Sequence, residues 1–146
     1  QEQADAKFAF WMEMYTAAES STQNVIKALN LKEEIAAKIE SVKSAGADAG
    51  TIEDAEKQAK VIFETVDKYE GTYVSTGRTL AEVINLPATI LFKMSFMSGI
   101  LDHSEGPVTQ SMKTEFNTLL EESKTADADY TSSVNVELAK LDEILK

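Results

Sequence analysis

Residues 55–73 read AEKQAKVIFETVDKYEGTY, and in that line Ala55, Ala59, Ile62, Val66, Tyr69 and Tyr73 step by 4, 3, 4, 3 and 4. A half-buried strand would place apolar residues at every second position. A 3–4 alternation instead collects them on one side of a helix with 3.6 residues per turn. Between them stand Glu56, Lys57, Lys60, Glu64, Asp67 and Lys68, which suit a solvated face. The stretch therefore reads as an amphipathic helix with a clean packing seam. Thr51-Ile52-Glu53-Asp54 precedes it. Thr51 is the expected N-cap, worth about 1 kcal/mol, with Glu53, Asp54 and Glu56 at the positive end of the helix dipole. Gly71 and Gly77 bracket a Thr/Ser-rich stretch, 72–79, expected to be irregular.

The same spacing extends outward from this seam in both directions. Upstream, 45–50 reads AGADAG and stops a preceding helix, with Gly46 suited to the left-handed cap position. That first helix runs from Ala4 to Ser44. Phe8, Trp11, Tyr15, Ala18, Thr22, Val25 and Leu29 form its expected core stripe, widened by Met12, Ile26 and Ile35 and extended by Ala36, Ile39 and Val42. Asn30 and Lys32 are polar intrusions, but no Gly or Pro interrupts the segment, so one continuous helix is expected.

Downstream, Asn85-Leu86-Pro87 opens a third helix, with Asn85 as cap and Pro87 in the first turn. Leu86, Ile90, Met94, Met97 and Leu101 share one side of it. Leu91, Phe92, Phe96 and Ile100 make it apolar nearly all round, so it is expected to be the most buried helix. Residues 102–107, DHSEGP, form a turn. The fourth helix runs from Val108 to Leu145 on Met112, Phe116, Leu119, Ser123, Ala126, Tyr130, Val134, Leu138, Leu141 and Leu145. Small residues at Ser123 and Ala126 let helices approach closely.

These segments predict an all-α antiparallel helical bundle with two long and two short helices, in one domain over residues 1–146. At 1.5 Å per residue the first and fourth helices are roughly 60 and 55 Å long. The second and third, placed end to end, match that length. A broken middle layer between two long helices follows; a four-helix up-down arrangement is the alternative.

Composition excludes several functions. The net charge is −11, which opposes a nucleic-acid interface and charge-driven binding to an anionic membrane. No Cys is present, so disulfides, thiol nucleophiles and Cys-ligated zinc are ruled out. No run of 18 apolar residues exists, and no membrane insertion is expected. The single His is not preceded by Glu three residues earlier, where Ile100 stands, which rules out a di-iron bundle. No phosphate-loop signature occurs. The chain opens on Gln1 and is read as an excised domain or a processed form.

Candidate chemistry is thin. Asp102-His103-Ser104 has the letters of a triad, but consecutive turn residues do not converge as a triad requires. Asp127-Ala128-Asp129 begins like a calcium loop, yet its twelfth position is Leu138 and no Gly follows. The pairs Glu33-Glu34, Glu121-Glu122 and Asp142-Glu143 are adjacent on a helix and point apart, unlike glycosidase carboxylates facing across a cleft. No catalytic residue, cofactor or metal is assigned. Phe8, Phe10, Trp11 and Tyr15 make an aromatic cluster near the start. Phe10 and Met14 fall beside the expected stripe and are the candidate docking surface.

From Asn85 onward the chain resembles the C-terminal helical region of bacterial sortilin-like (VPS10-type) β-propeller proteins, often labelled BNR-repeat or glycosyl hydrolase proteins. The resemblance rests on Asn85-Leu86-Pro87, Lys93-Met94, Gly99-Ile100-Leu101, the turn from Asp102 to Thr109 closing in Pro107-Val108-Thr109, Phe116, and Leu141-Asp142-Glu143-Ile144-Leu145. Residues 4–29 resemble the helix that follows the family's last β-sandwich module, and the likeness is weakest over 43–83. It implies a non-catalytic structural or interaction domain of a larger periplasmic or extracellular protein. The expected partners are the parent's other domains and a second copy of the chain. A ligand-sensing four-helix bundle of a receptor is the alternative, and a small helical enzyme a third reading with no residues to carry it.

Overall fold

The computed structural model describes residues 2–75 and 88–146. Its described residues form four helices and no strand: α1 (Glu2–Ser44), α2 (Ala49–Tyr73), α3 (Ile90–His103) and α4 (Gln110–Ile144). The all-α bundle with two long and two shorter helices is what the spacing predicts. Asn85, Leu86 and Pro87, expected to open the third helix, lie outside the described residues. The observed cap of α3 is Thr89, extended at φ −79° and ψ 165°, whose hydroxyl accepts from the Phe92 N–H.

The helix ends follow from local chemistry. α1 is unbroken through Asn30 and Lys32 and carries Glu2 and Asp5 in its first turn and Lys43 in its last, each matched to the dipole. It ends at Gly46, which sits at φ +89° where a side chain would be strained. Gly46 N–H donates to the Lys43 carbonyl and Ala47 N–H to the Val42 carbonyl, the paired bonds of a Schellman cap. α2 corrects the sequence reading at both ends. Its cap is Asp48, not Thr51: Thr51 N–H donates to Asp48 Oδ1 at 2.9 Å and the Thr51 hydroxyl to Oδ2 at 2.6 Å. A carboxylate outcompetes a hydroxyl as acceptor for the first free N–H groups. At the other end Gly71 and Thr72 stay helical as far as Tyr73, whose burial anchors the last turn.

The described residues divide into two compact units, one within 1–24 and 71–126, the other Val25–Glu70 with Asp127–Lys146. α1 and α4 contribute to both. In the second unit Ile35, Ile39, Ala55, Ala59, Ile62, Val134 and Leu141 form the core, flanked by Leu31, Phe63, Tyr130 and Leu138. Lys32 pairs with Asp67 and Lys38 with Asp142 at 2.6 Å. Tyr69 donates to Asp127 at 2.6 Å, while Gln58 reaches Glu137 at 2.7 Å. These contacts set α2 antiparallel to α1 and α4.

In the first unit Phe10 meets Phe116 edge-on at 5.5 Å and Ser21 meets Ser123 at 3.3 Å, so α1 and α4 run in the same direction. Lys7 reaches the Ser104 carbonyl at 2.6 Å and Lys93 reaches Glu122 at 3.4 Å, so α3 runs against both.

The register of the first half of α1 differs from the sequence reading. Phe10 is 7% exposed and Met14 2%, while Phe8 and Tyr15 are 64% and 52% exposed. The true stripe is Phe10, Met14, Ser21, Val25 and Ala28. The stripe read from the aromatics and the true one converge at Val25. What separates them is a polar residue in the core, Ser21, held by Ser123. Phe10 and Met14 are therefore core residues and not a docking surface.

α3 departs from its reading as well. Ile90, Met94, Met97 and Leu101 are buried as expected, but Phe92, Phe96 and Ile100 face solvent, so α3 is buried on one side only. The seams of α2 and α4 match their reading. All six α2 positions are buried, and every α4 seam residue is buried or half-buried.

Phe10→Ala should destabilise the chain by about 3–5 kcal/mol, the usual cost of emptying a buried Phe site. Phe8→Ala should cost well under half of that. Urea unfolding of both variants checks the register; equal losses would contradict it. A second expectation concerns acid. The Thr51 hydroxyl and backbone N–H hold Asp48 below its ordinary value, and the Lys38 ammonium does the same for Asp142. A depressed folded pKa adds stability that is present above the unfolded value, about 3.9, and is lost as the pH falls below it. Urea midpoints should therefore fall below pH about 4. Asp48→Asn keeps an acceptor for Thr51 but does not titrate, and should make that acid limb shallower.

Candidate functional site

The residues with catalytic lettering are not assembled. Asp102 and His103 are exposed in the last turn of α3, and the Ser104 hydroxyl donates to the Leu101 carbonyl at 3.1 Å as part of the helix end. Asp127 lies within α4 and accepts from Tyr69, so it belongs to a helix–helix contact and not to a loop. Of the acidic pairs, Glu121 bonds Lys124 at 2.6 Å, Glu122 pairs with Lys93, and Asp142 pairs with Lys38, each with a separate partner. Glu137 is held below its ordinary range first by Lys140 and then by Gln58. Among the described residues no group of three or more His, Asp or Glu is placed to hold a metal ion. No helix of the described residues is long and apolar enough to cross a membrane.

The most developed polar constellation is a buried hydroxyl layer. Tyr73, fully buried at the end of α2, donates to the Ser123 carbonyl at 3.0 Å and lies 2.8 Å from the Ser123 hydroxyl, which in turn meets Ser21. Hydroxyls in a core are tolerable only when bonded, and this layer satisfies one from each of α1, α2 and α4. It has no nucleophile–base pair and reads as a register element. In the other unit Tyr69 and Tyr130 stack at 4.2 Å, and burial raises the Tyr130 phenol above its ordinary value.

Three surface features remain. Phe8, Trp11 and Tyr15 stack in a ladder along α1, with centroids 6.4 and 5.5 Å apart. The Trp11 indole N–H is buried without a hydrogen-bond partner among the described residues. On α3, Phe92 and Phe96 stack at 6.5 Å on the side opposite its buried face. Finally, Ala9, Met12, Thr16 and Ala17 of α1 with Phe116 and Leu120 of α4 line an open groove of about 480 Å³.

Sequence reasoning missed the Phe92–Phe96–Ile100 face because it took all-round apolarity to mean all-round burial. The signal was available. These residues recur at intervals of four, offset by about half a turn from Ile90, Met94, Met97 and Leu101.

The hydroxyl layer generates a prediction. Ser123→Ala should cost about 1–3 kcal/mol because it strands the Ser21 hydroxyl in the core. The Ser21→Ala/Ser123→Ala pair should cost less than the sum of the single changes. A double-mutant cycle by urea unfolding measures that coupling, and strict additivity would show that the two hydroxyls do not interact.

Comparison with protein-family models, with curated proteins and with solved structures finds no match to this chain.

Proposed function

We propose that this chain is a non-catalytic interaction domain that docks through the outer face of α3. The observation that carries the reading is the placement of Phe92 and Phe96, 58% and 62% exposed, with Ile100 on the same line. From Ile90 to Leu101 the helix has one charged residue, Lys93, in a chain where 27% of residues are charged. Solvated helix faces are normally charged. A helix that buries one apolar face and presents a second has a surface suited to a partner. Covering a Phe fully is worth roughly 1.5–3 kcal/mol, so this face can contribute materially to docking.

The resemblance to the helical C-terminal region of sortilin-like β-propeller proteins supplies the context. The parent is a larger periplasmic or extracellular protein, and the partner is another module of that same chain. This reading replaces Phe10 and Met14 by Phe92 and Phe96 as the docking residues.

The test uses the full open reading frame and the protein it encodes. Repeat-rich β sequence upstream is expected. Amides of residues 90–103 should exchange more slowly in the full-length protein than in the present chain, and Phe92→Ser/Phe96→Ser should abolish that difference. The same pair of substitutions should change the stability of the present chain by less than about 0.5 kcal/mol, as exposed substitutions do. Flanking membrane-spanning helices in the reading frame would overturn the assignment in favour of a ligand-sensing receptor bundle. Turnover of a glycoside by the present chain, lost with a single carboxylate, would overturn the non-catalytic reading.

A further inference from the structure

The groove between α1 and α4 has edges of opposite charge. On α1, Asp5, Met12 and Glu19 recur at intervals of seven, and Glu13 lines the groove itself; all four are exposed. On α4, Lys113 and Lys124 continue the line of Phe116 and Leu120 at spacings of three and four, and both are exposed. Residues three and four apart share a helix face, so the carboxylates of Asp5, Glu13 and Glu19 border one wall of the groove, while Lys113 and Lys124, the latter beside its partner Glu121, border the other. Lys7 does not interrupt the acidic edge, because it is directed to the Ser104 carbonyl beyond α3. Lys113 has no ion-pair partner among the described residues. Lys124 has only an exposed pair with Glu121, of a kind that contributes little.

An apolar trough with one acidic and one basic edge is complementary to itself. A two-fold axis running along the groove, parallel to the helices, lays the α1 edge of each copy over the α4 edge of the other. The levels agree. The contacts Phe10–Phe116 and Ser21–Ser123 place Lys113 at a height between Asp5 and Glu13, and Lys124 within a turn of Glu19. Ala9, Thr16 and Ala17 keep the α1 wall low, which permits close approach.

We propose that the chain forms a two-fold homodimer through this groove, with Met12 and Leu120 at its centre and Asp5, Glu13 and Glu19 of each copy lying along Lys113 and Lys124 of the other. The occupant is a second copy because opposite charges on the two walls match the same surface turned through half a revolution. A partner of uniform charge would be repelled by one wall. The proposal extends the interaction-domain reading to a surface separate from Phe92 and Phe96, so either can fail alone.

The test is a charge swap read by sedimentation equilibrium. The unaltered chain should approach twice its 16.0 kDa mass as concentration rises. Lys113→Glu/Lys124→Glu makes both edges acidic, and Glu13→Lys/Glu19→Lys makes both largely basic. Each variant alone should associate at least about tenfold more weakly. An equimolar mixture should recover the affinity, because every edge again meets its opposite. Circular dichroism establishes that both variants remain helical, as exposed substitutions should leave them. Phe92→Ser/Phe96→Ser should leave the dimer intact. A monomeric unaltered chain, variants that dimerise as it does, a mixture that stays monomeric, or loss of the dimer on substituting Phe92 and Phe96 would each overturn the proposal.

Discussion

Three hydroxyl groups in the core, from Ser21, Tyr73 and Ser123, tie α1, α2 and α4 to a single register. Apolar positions tolerate exchange of one aliphatic side chain for another of similar volume, usually for less than about 1.5 kcal/mol. A buried hydroxyl does not, because losing its partner costs about 1–3 kcal/mol. Once Ser21 must meet Ser123, the rotation of α1 about its axis is set. Phe10 and Met14, on the same line as Ser21, turn inward, and Phe8 and Tyr15 are carried outward. The exposed aromatic ladder is thus a consequence of a polar contact further along the same helix. Two small serines at the crossing also let α1 and α4 approach closely.

That constraint separates what the sequence disclosed from what it did not. The α2 seam from Ala55 to Tyr73 was legible because its apolar residues stand between charged neighbours and only one helical line connects them. The α4 seam was legible for the same reason, even through Ser123, since Phe116 and Leu119 on one side and Val134 and Leu141 on the other define the line across it. The first half of α1 offers two lines of 3–4 spacing that meet at Val25. Aromatic size favoured Phe8, Trp11 and Tyr15, whereas the decisive residue was a serine whose partner lies 102 positions away. No local pattern contains that information. The cap of α2 was misread for a smaller reason: Asp48 and Thr51 are both good cap residues, and the carboxylate is the stronger acceptor.

The exposed apolar surface was not legible in place. An apolar surface for a partner was expected from the N-terminal aromatics, and apolar surface is present, but on α3. The error came from treating α3 as an interior helix. With 14 residues and, among the described residues, neighbours on one side only, it buries a single line of four large side chains. Its other face stays apolar without structural need within the described residues, and that mismatch between composition and burial is the observation on which the docking proposal rests. Catalytic readings were set aside in the sequence itself. The acidic pairs and Asp102-His103-Ser104 looked suggestive as text, but helical geometry sends adjacent side chains in different directions.

Net charge alone would argue against self-association of a chain that carries −11. Screening limits that argument. At physiological ionic strength the Debye length is about 8 Å, so acidic residues elsewhere on the two copies interact weakly across a shared interface. The charges that decide association are those brought within a few ångströms of each other at the contact. On the α1–α4 groove these alternate in sign from one wall to the other, whereas the excess negative charge is spread over the remaining surface. A net-acidic chain with a dipolar groove therefore discourages random aggregation while leaving one orientation of a second copy electrostatically favourable. Specificity of this kind comes from the arrangement of like and unlike charges and not from their sum.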